Sequence, residues 1–334
     1  MPQSSIIDLN DAAIDCTKKF QILSLDGGGI KGIFSAAILT ALEQDLGVRV
    51  VDHFDLIAGT STGGIIAIGL GLGLSPRQIV QFYMEHGPSI FPGSSSLWRC
   101  SLHWLRRKYS ADPLEAALKR CFGDRLFGES KKRLVVPSYN LGEDDVYIFR
   151  TPHHARLNRD LRVPAWKVAR ATTAAPTYFP SFRGIDSQRL IDGGVWANNP
   201  TMVALVESYG TLAVPLADTH ILSIGTTDPV NSRHSRLDAS GMLGWSKAAI
   251  DVVMRGQTIA ARNQARFLVG EHNYFRLDPV VPSSEFCLDG IDRSEDLIAK
   301  AAHHSRVFAP IFGRSFAQHT AEPFIPNTNP ETRT

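Results

Sequence analysis

Ile57-Ala58-Gly59-Thr60-Ser61-Thr62-Gly63-Gly64 is the stretch on which the reading of this chain turns. It holds Gly-x-Ser-x-Gly between two apolar runs, with Phe54, Leu56, Ile57 and Ala58 before it and Ile65, Ile66, Ala67 and Ile68 after it. That order predicts a strand, a sharp turn and a helix. A serine at such a turn takes unusual backbone angles and holds its hydroxyl clear of the sheet edge. Gly59 and Gly63 let strand and helix come close enough for the turn to form. The positive end of the helix dipole then favours an alkoxide or oxyanion at the serine. Ser61 is therefore the candidate nucleophile. A tight turn before a buried helix fits the same five residues, so the motif has to be weighed with its company.

Composition narrows the classes. A chain of 334 residues fits one large α/β unit, and 43% hydrophobic with 20% charged residues fits a globular protein with a sizeable core. A formal net charge of +2 argues against bulk binding of nucleic acid through its phosphates. Cys16, Cys100, Cys121 and Cys287 lie far apart, in neither zinc-ligand nor disulfide spacing, which points to a reducing cytosol. Residues 1–19 read as a loose polar leader and not a secretory signal. The apolar stretch Gly63 to Leu74 is too short and glycine-rich to span a bilayer. Any membrane contact is thus expected to be peripheral, and the setting cytoplasmic.

Along the chain, strand-like and helix-like segments alternate. Phe20 to Leu25 reads as a buried first strand, followed by Asp26-Gly27-Gly28-Gly29-Ile30-Lys31-Gly32 and a helix stopped by Gly47. Ser75-Pro76 opens a helix to about His86. Gly87 to Ser110, with Trp98 and Trp104, reads as a long irregular loop, either a lid or a partner surface. Strands are expected at Arg133 to Asn140 and Val146 to Arg150, and a short one ends in Asp192-Gly193-Gly194. A further strand is read at His220 to Gly225, and helices at Met242 to Gly270 and Arg293 to Phe316. The whole predicts an α/β fold with a mainly parallel sheet and helices on both faces. One unit over residues 20–318 is expected, with a frayed tail over 319–334.

Three glycine corners follow strands, at Gly27 to Gly32, Gly59 to Gly63 and Asp192 to Gly194. Ligands of open α/β sheets sit at the carboxyl ends of strands, where these corners can meet. In the first corner, three consecutive glycines let backbone N–H groups converge on one oxygen, as an oxyanion hole or a phosphate nest requires. A flexible turn or a dinucleotide loop fits it too, since Gly27-x-Gly29-x-x-Gly32 matches that pattern. The third corner supplies Asp192 as a general base towards Ser61, or is an ordinary Asp-Gly turn. A Ser–His–Asp triad needs a histidine, and none of the 11 stands in a strand-end corner after Asp192. His153-His154 and His303-His304 lack further ligands at metal spacing.

Taken in order, Asp26-Gly-Gly-Gly-Ile-Lys-Gly32, Gly59-Thr-Ser-Thr-Gly63 and Asp192-Gly-Gly194 resemble the patatin-like phospholipases. Phe54 to Gly59, Ala174 to Pro180 and Trp196 to Pro200 fit the same family. The resemblance implies a three-layer α/β/α fold with a nucleophile-elbow serine. It also implies hydrolysis of acyl esters of membrane glycerophospholipids by a Ser–Asp dyad without histidine, metal or organic cofactor. Ser61 then matches the nucleophile, Asp192 the base, and Gly27, Gly28 and Gly29 the oxyanion-hole glycines. Lys31 matches a basic position facing lipid phosphate, or is a solvated lysine. Gly32, Gly59, Gly63, Gly193 and Gly194 complete the motifs. Length and the run Gly69-Leu-Gly-Leu-Gly-Leu74 resemble the bacterial patatin effectors of CBASS anti-phage defence, which a cyclic dinucleotide such as cGAMP switches on. A general esterase with another histidine, and a nucleotide-sensing module without catalysis, remain the alternatives.

A receiver for such an anion is expected on the 242–270 helix. Arg255, Arg262 and Arg266 are spaced by seven and four, which at about 100° per residue places them within ~40° of one another on one face. Guanidinium groups in a row suit capture of phosphate oxygens, and a solvated basic face fits equally well. Ala261 and Phe267 are expected to turn away from that stripe.

Overall fold

The computed structural model describes residues 19–92, 108–230, 237–238, 241–282 and 285–326. The expectations for the leader up to residue 18, for Trp98 and Trp104, and for the tail from residue 327 lie outside these. In chain order the strands are β1 (Phe20–Leu25), β2 (Leu56–Gly59), β3 (Arg133–Asn140), β4 (Asp145–Arg150), β5 (Leu190–Asp192), β6 (Thr219–Ile224), β7 (Asp228–Val230), β8 (Tyr274–Leu277) and β9 (Val280–Pro282). The helices are α1 (Gly32–Leu46), α2 (Thr62–Gly71), α3 (Pro76–Ile90), α4 (Asp112–Phe122), α5 (Ala165–Thr172), α6 (Gly194–Ala197), α7 (Thr201–Gly210), α8 (Met242–Val269) and α9 (Ser294–Ser315).

The main sheet runs β4-β3-β2-β1-β6-β8, and β5 also pairs with β3. The neighbours from β3 to β8 are parallel, while β4 and β5 lie antiparallel to β3. Because strand side chains alternate, the sheet divides the interior by parity. Ile22, Leu56, Ala58, Val135, Ile221 and Tyr274 face Ala204 and Leu205 of α7 and Ala265 and Val269 of α8. Leu23, Leu25, Ile57, Leu134, Leu222 and Ile224 face the larger core, which holds α1, α2, α3 and α9. The result is a three-layer α/β/α arrangement. The central strands β1, β2 and β6 are buried on both faces, which is why they read as continuous apolar runs.

Local signals set the helix ends. Ser75 caps α3 with a capping box to Gln78, and Pro76 takes the first turn. Gly47 ends α1 in the left-handed region at φ 66°, where its N–H bonds Glu43.

Four features depart from the sequence expectation. α3 continues to Ile90 past Gly87 and Pro88, because Ile90 and Phe91 are buried in the larger core. Residues 319–326 are docked and not frayed. The Ala321 N–H bonds the Asp52 carbonyl at 2.8 Å, His319 pairs with Asp55 at 2.7 Å, and Phe324 is buried beneath Arg133. β7 and β9 form a small parallel sheet whose three-residue strands carry too little pattern to be read. Finally, β5 runs against its neighbours. Ser138 pairs with both Tyr147 of β4 and Asp192 of β5, so those strands occupy opposite edges of β3. By the same reasoning from Val135, β2 lies on the β5 edge. β5 therefore takes up the edge of β3 where β2 ends, and delivers Asp192 beside the turn that follows β2.

Candidate active site

Ser61 sits between β2 and α2 with φ 55° and ψ −121°. A non-glycine residue in this region stores on the order of 1–3 kcal/mol of strain, which the surroundings must hold. The glycines allow it. A Cβ on Gly59 would stand 2.1 Å from the Gly63 carbonyl oxygen, and one on Gly63 would stand 2.2 Å from that of Leu25. The turn is fixed further by Thr172, whose Oγ1 accepts the Ser61 N–H at 3.0 Å and donates to the Pro137 carbonyl at 2.6 Å. Thr172 was not legible as a site residue, because it is an ordinary helix-end threonine until the fold brings it over the elbow.

The Ser61 hydroxyl donates to Asp192 Oδ2 at 2.6 Å, and Asp192 Oδ1 accepts the Gly194 N–H at 2.7 Å. Burial pushes the Asp192 carboxyl up to about 6, against the opposing pull of the hydrogen bonds from Ser61 and Gly194. The close packing of Gly193 over the Pro137 carbonyl holds this corner against β3, since a Cβ there would lie 2.4 Å from that oxygen. Among the described residues no histidine bonds either member of the pair. His153 bonds Thr151 and Glu207, and His319 bonds Asp55. Nor do the described residues hold a group of three or more metal-ligating side chains.

The glycine loop comes up beside Ser61, and its three glycines are not equivalent. The Gly27 N–H is engaged by the Asn198 carbonyl at 2.9 Å, so it is not available to a substrate oxygen. Among the described residues, no acceptor takes the N–H of Gly28 or of Gly29. The oxyanion donors therefore narrow from three candidates to two. A Cβ on Gly28 would lie 2.2 Å from Thr226 Oγ1, and Gly29 has φ +59° with the Leu288 carbonyl oxygen 2.2 Å from where its Cβ would be. At Gly32 the same test gives 2.1 Å to Thr62 Oγ1, so that glycine lets α1 and α2 approach.

Lys31 is not a solvated lysine. It is buried, its Nζ donates to the Thr227 carbonyl at 3.2 Å, and burial pulls its pKa down against the nearby carboxylates of Asp278, Asp228 and Asp26. Asp26, which opens the glycine motif, and Asn198, within Trp196 to Pro200, join the site together with Arg276, which no motif announces. Asn198 Nδ2 reaches the Gly27 carbonyl at 3.4 Å, and Arg276 forks onto Asp26 at 2.9 and 2.6 Å.

The three arginines share α8 but differ in surroundings. Arg255 pairs with Asp228, Arg266 stands 3.6 Å from Glu271, and Arg262 is exposed with its Nε on Asn263. Ala265 and Val269 are what seat this end of α8, while Phe267 is 88% exposed.

The model of the family described as patatin-like phospholipase matches residues 23–205. A Pseudomonas aeruginosa protein named cGAMP-activated phospholipase is 34% identical over 279 residues, covering 82% of this chain and 83% of that protein. A Vibrio cholerae protein of the same name is 31% identical over 306 residues, covering 82% and 86%. Patatin-like protein 4 of Arabidopsis thaliana is 36% identical over 205 residues, covering 55% and 51%. Of solved structures, VipD from Legionella pneumophila matches with a TM-score of 0.40 at 14% identity, over 85% of this chain and 67% of that one. With its serine elbow, its carboxylate partner and a family match across more than half its length, the chain belongs to the patatin-like phospholipases, which hydrolyse ester bonds.

Proposed function

We propose that the protein removes acyl chains from membrane glycerophospholipids and that a cyclic dinucleotide such as cGAMP turns it on, in a cytoplasmic setting with peripheral contact to the inner membrane. The observation that carries the catalytic part is the 2.6 Å bond from the Ser61 hydroxyl to Asp192, beside the amides of Gly28 and Gly29, which no acceptor among the described residues takes. Asp192 takes the Ser61 proton as Oγ attacks the ester carbonyl, and the Gly28 and Gly29 N–H groups receive the oxyanion. Asp192 returns the proton to the departing alcohol. It then deprotonates the water that releases the fatty acid from Ser61. A carboxylate held near 6 suits this, being ionised at neutral pH yet basic enough to accept a proton. No residue in the sequence assigned to the dyad calls for a metal or organic cofactor.

The activating ligand is supported by the names of the bacterial relatives and by the basic face of α8. Arg262 and Arg266 present that face to solvent, beside a shallow cavity of about 230 Å³ lined by Asn263, Arg266, Phe267, Gly270 and Glu271. Arg266 there stands 3.6 Å from Glu271, so a second segment or subunit bringing further cations would complete the hold on a dinucleotide. Arg255, paired with Asp228, is not a free receiver.

The test is fatty-acid release from phospholipid vesicles by the purified chain, with and without cGAMP, alongside calorimetric binding. Release that requires both Ser61 and cGAMP is expected, and Arg262→Glu should lose activation while keeping basal hydrolysis of a soluble short-chain ester. Full release without nucleotide, and no binding at micromolar cGAMP, would remove the regulatory part and leave the hydrolase.

A further inference from the structure

We infer that Arg276 is a positioning residue for the oxyanion loop, holding Asp26 so that the amides of Gly28 and Gly29 keep their aim at the attacked carbonyl. The inference rests on the hydrolase reading above and extends it to the C-terminal third of the chain.

Three consecutive glycines form a loop with much backbone freedom, so preorganised donors need outside anchors. Three are present. At the entry, the Asp26 carboxylate takes both arms of the Arg276 guanidinium, at 2.9 and 2.6 Å. Next, the Gly27 N–H bonds the Asn198 carbonyl. At the exit, the Ile30 N–H bonds the Leu288 carbonyl at 2.8 Å. Two of these anchors, Arg276 and Leu288, come from beyond residue 205, where the family match ends.

The sheet aims Arg276. Parallel register aligns Ser24 of β1, Ser223 of β6 and Arg276 of β8, so their side chains share one face. Arg276 also bonds Ser223 Oγ at 2.7 Å and Asp278 at 2.6 Å. Its side chain is 11% exposed and that of Asp26 is 4% exposed. Burial alone would lower the Arg276 pKa, but Asp26 and Asp278 outweigh it and the guanidinium stays charged. A planar fork fixes a carboxylate in direction as well as distance, which a lysine cannot do.

The test uses the full chain, with and without cGAMP, and two readouts. These are hydrolysis of a soluble short-chain ester and the rate at which a fluorophosphonate labels Ser61, both of which draw on the oxyanion amides. Arg276→Lys keeps the charge and loses the fork. Its kcat and labelling rate should each fall at least ~10-fold, with KM within about twofold and little change in Tm. The double variant Asp26→Asn/Arg276→Gln removes the Asp26–Arg276 charge pair together and leaves Asp278 with Lys31 as its nearby cation. It should fold, yet keep the low kcat. Wild-type kcat and labelling in Arg276→Lys, or their return in the double variant, would mean that Arg276 only neutralises buried charge and would overturn the inference. A wild-type chain silent in both readouts would overturn the hydrolase reading, and the inference with it.

Discussion

Ser61 Oγ lies 2.6 Å from Oδ2 of Asp192, a residue 131 positions further along the chain. The contact exists because β5 continues the edge of β3 that β2 vacates, so two short strands running in opposite senses end at one point. Asp192 is its only partner of that kind among the described residues, and the pair should act as a unit. Ser61→Ala and Asp192→Asn should each lower hydrolysis of a short-chain ester by at least ~100-fold, and the double variant should be little worse than either alone. Near-full activity in Asp192→Asn, with loss in some His→Ala variant, would restore the triad reading.

The pKa of Asp192 carries two expectations of opposite sign for activity and stability. The base must be ionised, so kcat/KM should rise with pH through an apparent pKa of about 6 and then level off. Stability runs the other way. The folded value lies above the ordinary 3.8, so the folded state binds this proton more tightly than the unfolded chain. The cost of burying the charge is therefore fully present above about pH 6 and fades as pH falls towards 3.8. Asp192→Asn keeps an acceptor for the Gly194 N–H and presents an N–H to Ser61. It should be the more stable protein at pH 8, by up to the order of 3 kcal/mol, with the gain shrinking by pH 4. Thermal melts of both proteins at the two pH values decide this, and an equal gain at both would disprove the burial account.

The elbow, the glycine loop and the Asp-Gly corner were legible because each is local. A strained serine, a donor loop and a strand-end carboxylate need glycines at fixed offsets, and these stand within a few residues of one another. What was not legible depends on distant registers. Thr172 reaches Ser61 only because α5 ends over β3, and Arg276 reaches Asp26 only across β6. Lys31 reads as a surface residue by type, yet the carbonyl of Thr227 and a cluster of carboxylates draw it inside. Gly27 looks like its two neighbours until Asn198 engages its N–H. The docking of residues 319–326 similarly depends on Asp52 and Asp55, more than 260 positions upstream.

Thr172 offers a test of how the strained serine is held. Thr172→Val keeps the methyl that packs over Gly64 but removes the oxygen between the Ser61 N–H and the Pro137 carbonyl. Leaving such groups without a partner costs about 1–3 kcal/mol, and part of that should appear as a poorly aimed nucleophile. Lower stability together with lower kcat is expected for Thr172→Val, and near-normal values for Thr172→Ser, which retains the oxygen. If the valine variant keeps full turnover, Thr172 is not what fixes the elbow.

Gly28 tests the oxyanion assignment through space and not through chemistry. Its backbone is extended, so any cost of a side chain there comes from contact. A Cβ would meet Thr226 at 2.2 Å from Oγ1, 2.6 Å from Cβ and 2.8 Å from Cγ2, all atoms of one side chain. Gly28→Ala must therefore push either Thr226 or the loop, and the loop carries the two amides that receive the oxyanion. Loss of one such donor typically costs ~100-fold or more in kcat, so a partial misalignment should cost at least ~10-fold. Thr226→Gly removes every atom that the new methyl would strike. The double variant Gly28→Ala/Thr226→Gly should regain much of the stability and part of the turnover, measured on a short-chain ester with Tm recorded in parallel. Recovery in the double variant locates the defect in that one contact. A Gly28→Ala protein that folds and turns over like the wild type would show that Thr226 gives way and the loop does not, and would remove this support for the oxyanion assignment.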